Sequence, residues 1–384
     1  MSTAARPEIL QFGTSRFLLA HVDAFVGHSL AEGLSNKRVV VVQSSARPEG
    51  KAKARMLAEH RRYPVQVRGV RDGETIDRIE WVDSLDTCLL ADEDWAELER
   101  RFCNEITHVV SNTGDRGFDP VTGDTPHIDV PASFPAKLAK LLHARHRQGG
   151  SGVTLMPCEL ISGNGQRLKS IVLDIARRSW DDAAFAQWLA DECIWVDTLV
   201  DRIVSAALEP VGAVAEPYGL WAIQDIPGLS LPCRHPDVQV VADLAPYEKR
   251  KLHVLNLAHS YLVARWRDLG LQDEVRFVRE AMRDPRLAEP LDAVLGDEVL
   301  PVLSREMPGL DLASYKATTL ERFANPFLDH RLEDIAQNHE EKLRRRLLPV
   351  VEMARTHGLA VPALDACVAQ LPALSSTGHA AQTP

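Results

Sequence analysis

The chain has 384 residues, of which 45% are hydrophobic and 26% charged, an ordinary globular balance in a length that suits two cored domains. A formal net charge of −10 gives no electrostatic ground for binding nucleic acid or an anionic membrane, so neither is expected as a partner. The six cysteines lack any Cys-x-x-Cys spacing, the start has no apolar signal core, and no apolar run approaches a membrane span; reduced thiols and a cytoplasmic location are expected.

Ile9–Phe12 is a short apolar run that predicts a strand. It breaks at Gly13 and passes through Thr14-Ser15-Arg16 into Phe17–Leu30, where Leu18, Val22, Phe25 and Val26 recur with helical period. Val39–Val42 is wholly β-branched and reads as a strand buried on both faces, as parallel strands are. Lys51–His60 is helix-prone, Val65–Val67 and Arg78–Trp81 read as further strands, Asp92–Phe102 as a helix, and Thr107–Val110 as a strand ending at Ser111-Asn112-Thr113. A turn-rich crossover from Pro126 to Pro135, a helix over Ala136–His146 and a strand over Val153–Met156 follow. This alternation predicts an α/β, Rossmann-like N-terminal domain with a mostly parallel sheet. From Gly165 onward the pattern turns helical, with Gln166–Ser179, Asp182–Asp191, Leu244–Arg267, Asp273–Met282 and Leu332–Met353. The expected division is a dinucleotide-binding domain over 1–187, a predominantly α-helical catalytic domain over 188–373, and a flexible tail over 374–384.

A strand, a tight glycine turn and a helix opening form the geometry that seats a pyrophosphate on backbone amides. Phe12-Gly13-Thr14-Ser15-Arg16-Phe17 supplies the first fingerprint glycine only, so a plain βα turn fits the pattern equally well. The second strand ends in Gln43-Ser44-Ser45-Ala46-Arg47, where an NAD site usually carries an acid for the ribose. Ser44 and Arg47 there suit the extra phosphate of NADP, although small polar residues also hold a plain ribose. Ser111-Asn112-Thr113 sits where a nicotinamide pocket is expected, and as a polar turn it would look the same.

The segment Lys251-Leu-His-Val-Leu-Asn256-Leu-Ala-His259 puts an amine, an amide and an imidazole among core residues. On an ideal helix the three fall within an arc of about 140°. A lysine is costly to bury for packing alone, and burial lowers its pKa toward that of a general base. Asn164 lies between Gly163 and Gly165, a place that also tolerates positive φ for its own sake. Asp201-Arg202, enclosed by apolar residues, fits a structural ion pair or a pocket that orders substrate. Arg322-Phe-Ala-Asn325-Pro-Phe-Leu-Asp-His330 is a third polar cluster, with Arg322 suited to gripping a carboxylate. Neither Cys/His spacing nor His-Glu-x-x-His occurs, so no metal site is expected.

Together, Phe12-Gly13…Phe17, Ser111-Asn112-Thr113, Pro157-Cys158-Glu159-Leu160 with Asn164-Gly165, Thr198–Ile203, Lys251…Asn256…His259 and Arg322…His330 resemble the long-chain mannitol dehydrogenase family, from about residue 9 to Pro349. Glu216-Pro-Tyr-Gly-Leu-Trp221 and Tyr247-Glu-Lys-Arg-Lys251 are most similar to its tagaturonate reductase (altronate oxidoreductase) branch. The resemblance implies a metal-independent NAD- or NADP-dependent oxidoreductase acting on a secondary alcohol of an open-chain sugar acid, working as a monomer or homodimer. It implies Lys251 as general acid/base, Asn256 and Asn164 holding the reacting oxygen, His259 orienting substrate, and Asp201, Arg322 and His330 lining the pocket. A dehydrogenase of a neutral polyol such as mannitol or arabinitol, and a non-catalytic nucleotide-binding protein, are the rival readings. The chain departs from the family at Ser15 and Arg16, where a second glycine and an Asn are usual.

Overall fold

The computed structural model describes residues 6–114, 116–369 and 371, so the expected tail over 374–384 lies outside the described residues. The chain forms two compact units, one ending at Tyr247 and the other beginning at Glu248.

The first unit opens with β1 (Arg6–Phe12), α1 (Arg16–Leu19), α2 (Val22–Ala31), β2 (Lys37–Gln43) and α3 (Pro48–Glu59). It continues with β3 (Tyr63–Arg71), β4 (Glu74–Val82), β5 (Leu85–Leu90), α4 (Trp95–Asn104), β6 (His108–Ser111), α5 (Phe134–Arg147), β7 (Thr154–Pro157), α6 (Asn164–Ser179), α7 (Ala183–Asp191) and β8 (Ile194–Trp195). Six of these strands form a parallel sheet in the order β5-β2-β1-β6-β7-β8, the doubly wound order of a dinucleotide-binding fold. The valine run explains how β2 reaches the centre of that sheet. Val39 and Val41 enter the core on one face and Val40 and Val42 the core on the other, so β-branched residues are buried on both sides.

Two expected strands go elsewhere. β3 and β4 pair with each other antiparallel in a separate sheet, and β5, which the sequence reading missed, takes the edge position beside β2. The cause is Asp72-Gly73: both residues have positive φ (55° and 78°) and close a two-residue turn between paired Arg71 and Glu74. Asp-Gly between alternating strands is a strong short-range hairpin signal. The expected helix over Phe17–Leu30 also breaks, at Ala20–His21, where the Arg202 guanidinium takes the Ala20 carbonyl at 2.6 Å.

The region after Trp195 is not helical at first. β9 (Thr198–Asp201), β10 (Val204–Ala207), β11 (Ala213–Ala215), β12 (Leu220–Gln224) and β13 (Val238–Val241) build a four-stranded sheet, β10-β11-β3-β4, and a three-stranded one, β13-β12-β9. The division between units therefore falls at Tyr247/Glu248 rather than 187/188. These strands are too short, and too interrupted by Pro210, Gly212, Pro217 and Gly219, to leave a readable period.

The second unit is helical, as expected. The helix α8 (Ala245–Arg250) runs without interruption into a π-helical segment, Lys251–Asn256, and then α9 (Leu257–Asp268). There follow α10 (Val278–Ala281), α11 (Pro285–Ala293), a second π segment over Val294–Val299, α12 (Leu300–Glu306) and α13 (Leu312–Phe323). The expected Leu332–Met353 helix is instead α14 (Leu332–Ile335), α15 (His339–Arg346) and α16 (Leu348–Thr356), followed by α17 (Pro362–Ala369). Asn338 at φ 52° and Pro349 at the start of α16 account for the breaks.

Candidate active site

In the first unit, strand register brings the carboxyl ends of the central strands level. Phe12 pairs with Val42 on one side and Ser111 on the other, and Ser111 pairs with Pro157. Gly13, Gln43, Asn112 and Cys158 thus emerge side by side, flanking the point between β1 and β6 where the strand order reverses. In open α/β sheets that crevice holds the ligand.

Gly13 is required there for two reasons. Its φ is +122°, and a Cβ would lie 2.7 Å from the Asn112 carbonyl oxygen. Ser15 caps α1, its Oγ accepting from the Leu18 amide at 3.3 Å, so the residue replacing a second glycine closes the helix start. Thr14 Oγ1 donates to Gln43 Oε1 at 2.7 Å and ties the turn to the end of β2. Arg16 and Arg47 are exposed and Ser44 half-buried. Phe12 is a correction: it is fully buried with its ring 4.9 Å from Phe134, which makes it core rather than a cofactor contact. Phe17 stacks on His21 at 4.8 Å and also serves packing.

Behind the Ser111–Thr113 turn lies Glu159, a buried acid that the sequence reading left without a role. Its Oε1 accepts from the Thr113 amide and hydroxyl, each at 2.9 Å, and its Oε2 from Ser111 Oγ at 2.9 Å. Burial pushes its pKa up while these hydrogen bonds oppose the rise. Asn112 donates to the Cys158 carbonyl at 2.8 Å, so the whole turn is pinned to the end of β7. Ser111 and Thr113 are both committed to Glu159, and Asn112 and Thr113 are the half-buried residues of the turn. An acid closing an apolar strand was the available signal. A glycine turn, a capped helix start and a rigid polar turn at the switch point fit a dinucleotide. Gly13, Thr14 and Ser15 would hold its pyrophosphate, and Asn112 and Thr113 would flank the ring that exchanges hydride.

Asn164 is the clearest correction. It is buried, and its Nδ2 faces three backbone carbonyls: Pro157 at 2.9 Å, Glu159 at 3.1 Å and Thr198 at 2.9 Å. Its Oδ1 accepts from the Thr198 amide at 3.0 Å. With three acceptors for two N–H bonds, no donor is left for a reacting oxygen. Asn164 is a brace that joins the ends of β7 and β9. Asp201 ends β9 and is buried beside Arg202, whose guanidinium bonds the Glu216 and Ala20 carbonyls.

In the second unit, the π segment changes the geometry expected of the catalytic helix. An i→i+5 pattern widens the turn and brings residues five apart closer together round the axis than the about 140° of an α-helix. Lys251 and Asn256 are five apart and are the first and last residues of the segment. Lys251 is half-buried rather than fully enclosed, and so is Asn256, whose side-chain amide forms no hydrogen bond among the described residues. The segment is anchored by Arg346, which donates to the Asn256 carbonyl at 3.1 Å and to Ser260 Oγ at 2.9 Å, while its own carbonyl pairs with His253 Nδ1 at 2.9 Å. His259 is buried, stacked on Phe323 at 4.0 Å and edge-on to His330 at 4.9 Å, so two predicted residues meet. Arg322 and Asn325 are buried, and Asn325 Oδ1 accepts from the Phe327 amide at 3.0 Å, closing the turn after α13.

Residues 7–230 match the mannitol dehydrogenase Rossmann domain and residues 243–379 the mannitol dehydrogenase C-terminal domain. The chain belongs to the mannitol dehydrogenase family. It is therefore an NAD(P)-dependent oxidoreductase. The altronate oxidoreductase of Halalkalibacterium halodurans is 33% identical over 364 residues, covering 89% of this chain and 69% of the relative. That of Escherichia coli is 34% identical over 372 residues, covering 90% and 75%. Among solved structures, a substrate-free D-sorbitol dehydrogenase superposes with a TM-score of 0.82 at 21% identity, covering 95% of this chain and 80% of that one. The Pseudomonas fluorescens mannitol 2-dehydrogenase complex with NAD and D-mannitol gives 0.73 at 22%, covering 95% and 78%. At these identities both report on the fold. Among the described residues, no helix is long and apolar enough to cross a membrane.

Proposed function

We propose that the chain interconverts a secondary alcohol and a ketone on an open-chain sugar acid of the altronate/tagaturonate kind, with Lys251 as general acid/base. The observation that supports this reading is the π turn that Lys251 opens and Asn256 closes, with His259 three residues further on. Relatives at 33% and 34% identity that bear the name altronate oxidoreductase support the substrate class.

A nicotinamide cofactor, when bound, would supply the hydride acceptor or donor. In the oxidative direction, Lys251 Nζ takes the hydroxyl proton as the carbinol C–H bond breaks, and the C–O bond becomes a carbonyl. The Asn256 amide donates to the oxygen while it carries negative charge, the kind of stabilisation an oxyanion site supplies. Desolvation pushes the His330 pKa below its ordinary value, so near pH 7 this ring is neutral and adds a hydrogen bond rather than a charge. Recognition of a substrate carboxylate then falls to Arg322, whose planar fork suits it. Asp201 is assigned a hydroxyl of the substrate chain. Six free, buried thiols agree with a reducing cytoplasm.

The test is a turnover screen of the purified chain with NAD and NADP against altronate, mannonate, mannitol and arabinitol. The expected result is a kcat/KM for a hexonate at least about 100-fold above either neutral polyol, the scale of discrimination when a charged contact to the substrate is missing. A preference for mannitol or arabinitol overturns the sugar-acid assignment, and cofactor binding without turnover on any substrate overturns the catalytic one.

A further inference from the structure

We propose that β4 is a self-pairing edge: two copies of the chain join antiparallel through it, extending the sheet β10-β11-β3-β4 across a two-fold axis at Ile79.

Among the described residues, β4 pairs with β3 alone and is the outermost strand of its sheet. An edge of this kind presents a row of backbone donors and acceptors, and natural sheets blunt it with short length, bulges, proline or charge. The opposite edge, β10, has four residues and a register shift between Val204 and Ala206. β4 runs for nine residues, pairs with β3 from end to end without a shift, and contains no proline. Its outer face carries two large apolar side chains, Ile79 at 59% and Trp81 at 55% exposure. Its charges, Asp77, Arg78 and Glu80, are of mixed sign, so they select among registers rather than repel every one.

The hairpin fixes which backbone groups are free. Arg71 and Glu74 close the two-residue turn as a hydrogen-bonded pair, and bonded and non-bonded pairs alternate from there. The amides and carbonyls of Thr75, Asp77, Ile79 and Trp81 therefore point away from β3. In a two-fold antiparallel pair, one residue lies opposite its own copy. Centring on Asp77, Arg78 or Glu80 sets like charges face to face. Centring on Thr75 or Ile76 leaves Ile79 and Trp81 beyond the paired stretch, and centring on Trp81 sets the Glu80 carboxylate against Val82.

Centring on Ile79 avoids all of these conflicts. Ile79 meets its own copy, and Trp81 lies diagonally beside the Ile79 of the second copy, within reach of a large side chain. Arg78 falls opposite Glu80 of the second copy on both sides of the axis. Within one chain Arg78 and Glu80 already pair at 2.7 Å, so the dimer continues a run of alternating charge. Backbone hydrogen bonds run between Ile79 and its copy and between Asp77 and Trp81 in both directions. The contact closes on itself, because each copy uses the same strand, and no edge remains for further addition.

Sedimentation velocity of the full chain from about 1 to 200 µM reads the association. One strand pair buries less than a standard interface, so the expected result is a monomer–dimer equilibrium with a Kd of about 1–100 µM. Arg78→Glu, which sets like charges on both sides of the axis, should weaken it by about tenfold, and Arg78→Glu/Glu80→Arg should return it to within about threefold of the parent. The native cysteines are buried, and Cα atoms at the axis would lie about 5.5 Å apart. Under mild oxidation, Ile79→Cys should therefore form an interchain disulfide faster than Thr75→Cys, whose copies would lie about 27 Å apart. A monomer throughout the range, a dimer that Arg78→Glu leaves unaltered, or equal cross-linking at both positions overturns the proposal.

Discussion

Replacing Asn164 by Ala separates a brace from an oxyanion donor. The substitution removes an amide bonded to the carbonyls of Pro157, Glu159 and Thr198 and to the Thr198 amide. Pro157 keeps a partner in the Thr198 hydroxyl and Glu159 O keeps the Ile161 amide at 2.8 Å, so two buried backbone groups lose theirs: Thr198 O and Thr198 N–H. An orphaned buried group costs about 1–3 kcal/mol, and some relaxation is open to the turn, so the loss is about 2–4 kcal/mol. In a unit of this size that lowers the melting temperature by roughly 4–16 °C. Asn164→Asp should be no better, because it sets carboxylate oxygens against three carbonyls. Thermal unfolding by calorimetry, with kcat measured well below the midpoint and normalised to folded enzyme, reads both quantities. A variant that melts within about 2 °C of the parent while kcat falls about 100-fold would refute the brace and return Asn164 to the reacting oxygen.

Asp23 is buried beneath the main sheet, hydrogen-bonded by Gln11 and Tyr63 at 3.3 Å each, and burial raises its pKa from 3.8 to about 7. The folded protein therefore binds more protons than the unfolded chain between about pH 4 and 7, and this group's contribution to stability falls as pH rises through that window. The substitution Asp23→Asn should stabilise by up to about 4 kcal/mol at pH 8 and by little at pH 4; denaturant titrations showing an equal effect at both would contradict this. Gly13→Ala combines a φ of +122° with a Cβ 2.7 Å from the Asn112 carbonyl, and should cost about 1–3 kcal/mol and weaken nicotinamide nucleotide binding in a fluorescence titration. Unchanged affinity would remove the glycine turn from the cofactor site. Glu159→Gln turns an amide toward the donors of Ser111 and Thr113, and should raise the Kd for NAD(P)H by about tenfold without unfolding the chain; an unaltered Kd would show that the turn needs no such support.

The Rossmann-like half was legible where sequence period and local chemistry agree. The Val39–Val42 run, the Gly13 turn and the Ser111–Thr113 turn each fall where a parallel sheet places them. The hairpin of β3 and β4 went unread although Asp72-Gly73 signals it, since two β-rich runs look alike whether they join one sheet or another. Hidden from the sequence were the features that depend on partners distant in the chain. Asn164 becomes a brace because Thr198 comes back beside it, and Glu159 becomes a support because β6 and β7 are neighbours. The π turn was hidden for another reason. No residue from Lys251 to Asn256 advertises an i→i+5 pattern, and ideal α-helical geometry placed the two side chains too far apart.

Catalysis by Lys251 is the claim on which the rest depends, and Lys251→Ala tests it most directly. Turnover of the hexonate should fall by at least about 100-fold, the low end for a lost general base, with nicotinamide nucleotide affinity nearly unchanged. A small alkylamine in the buffer should recover part of the rate, more so as pH rises and its neutral form accumulates. A variant that turns over near the parent rate, or one whose loss is fully explained by weaker cofactor binding, would contradict the account.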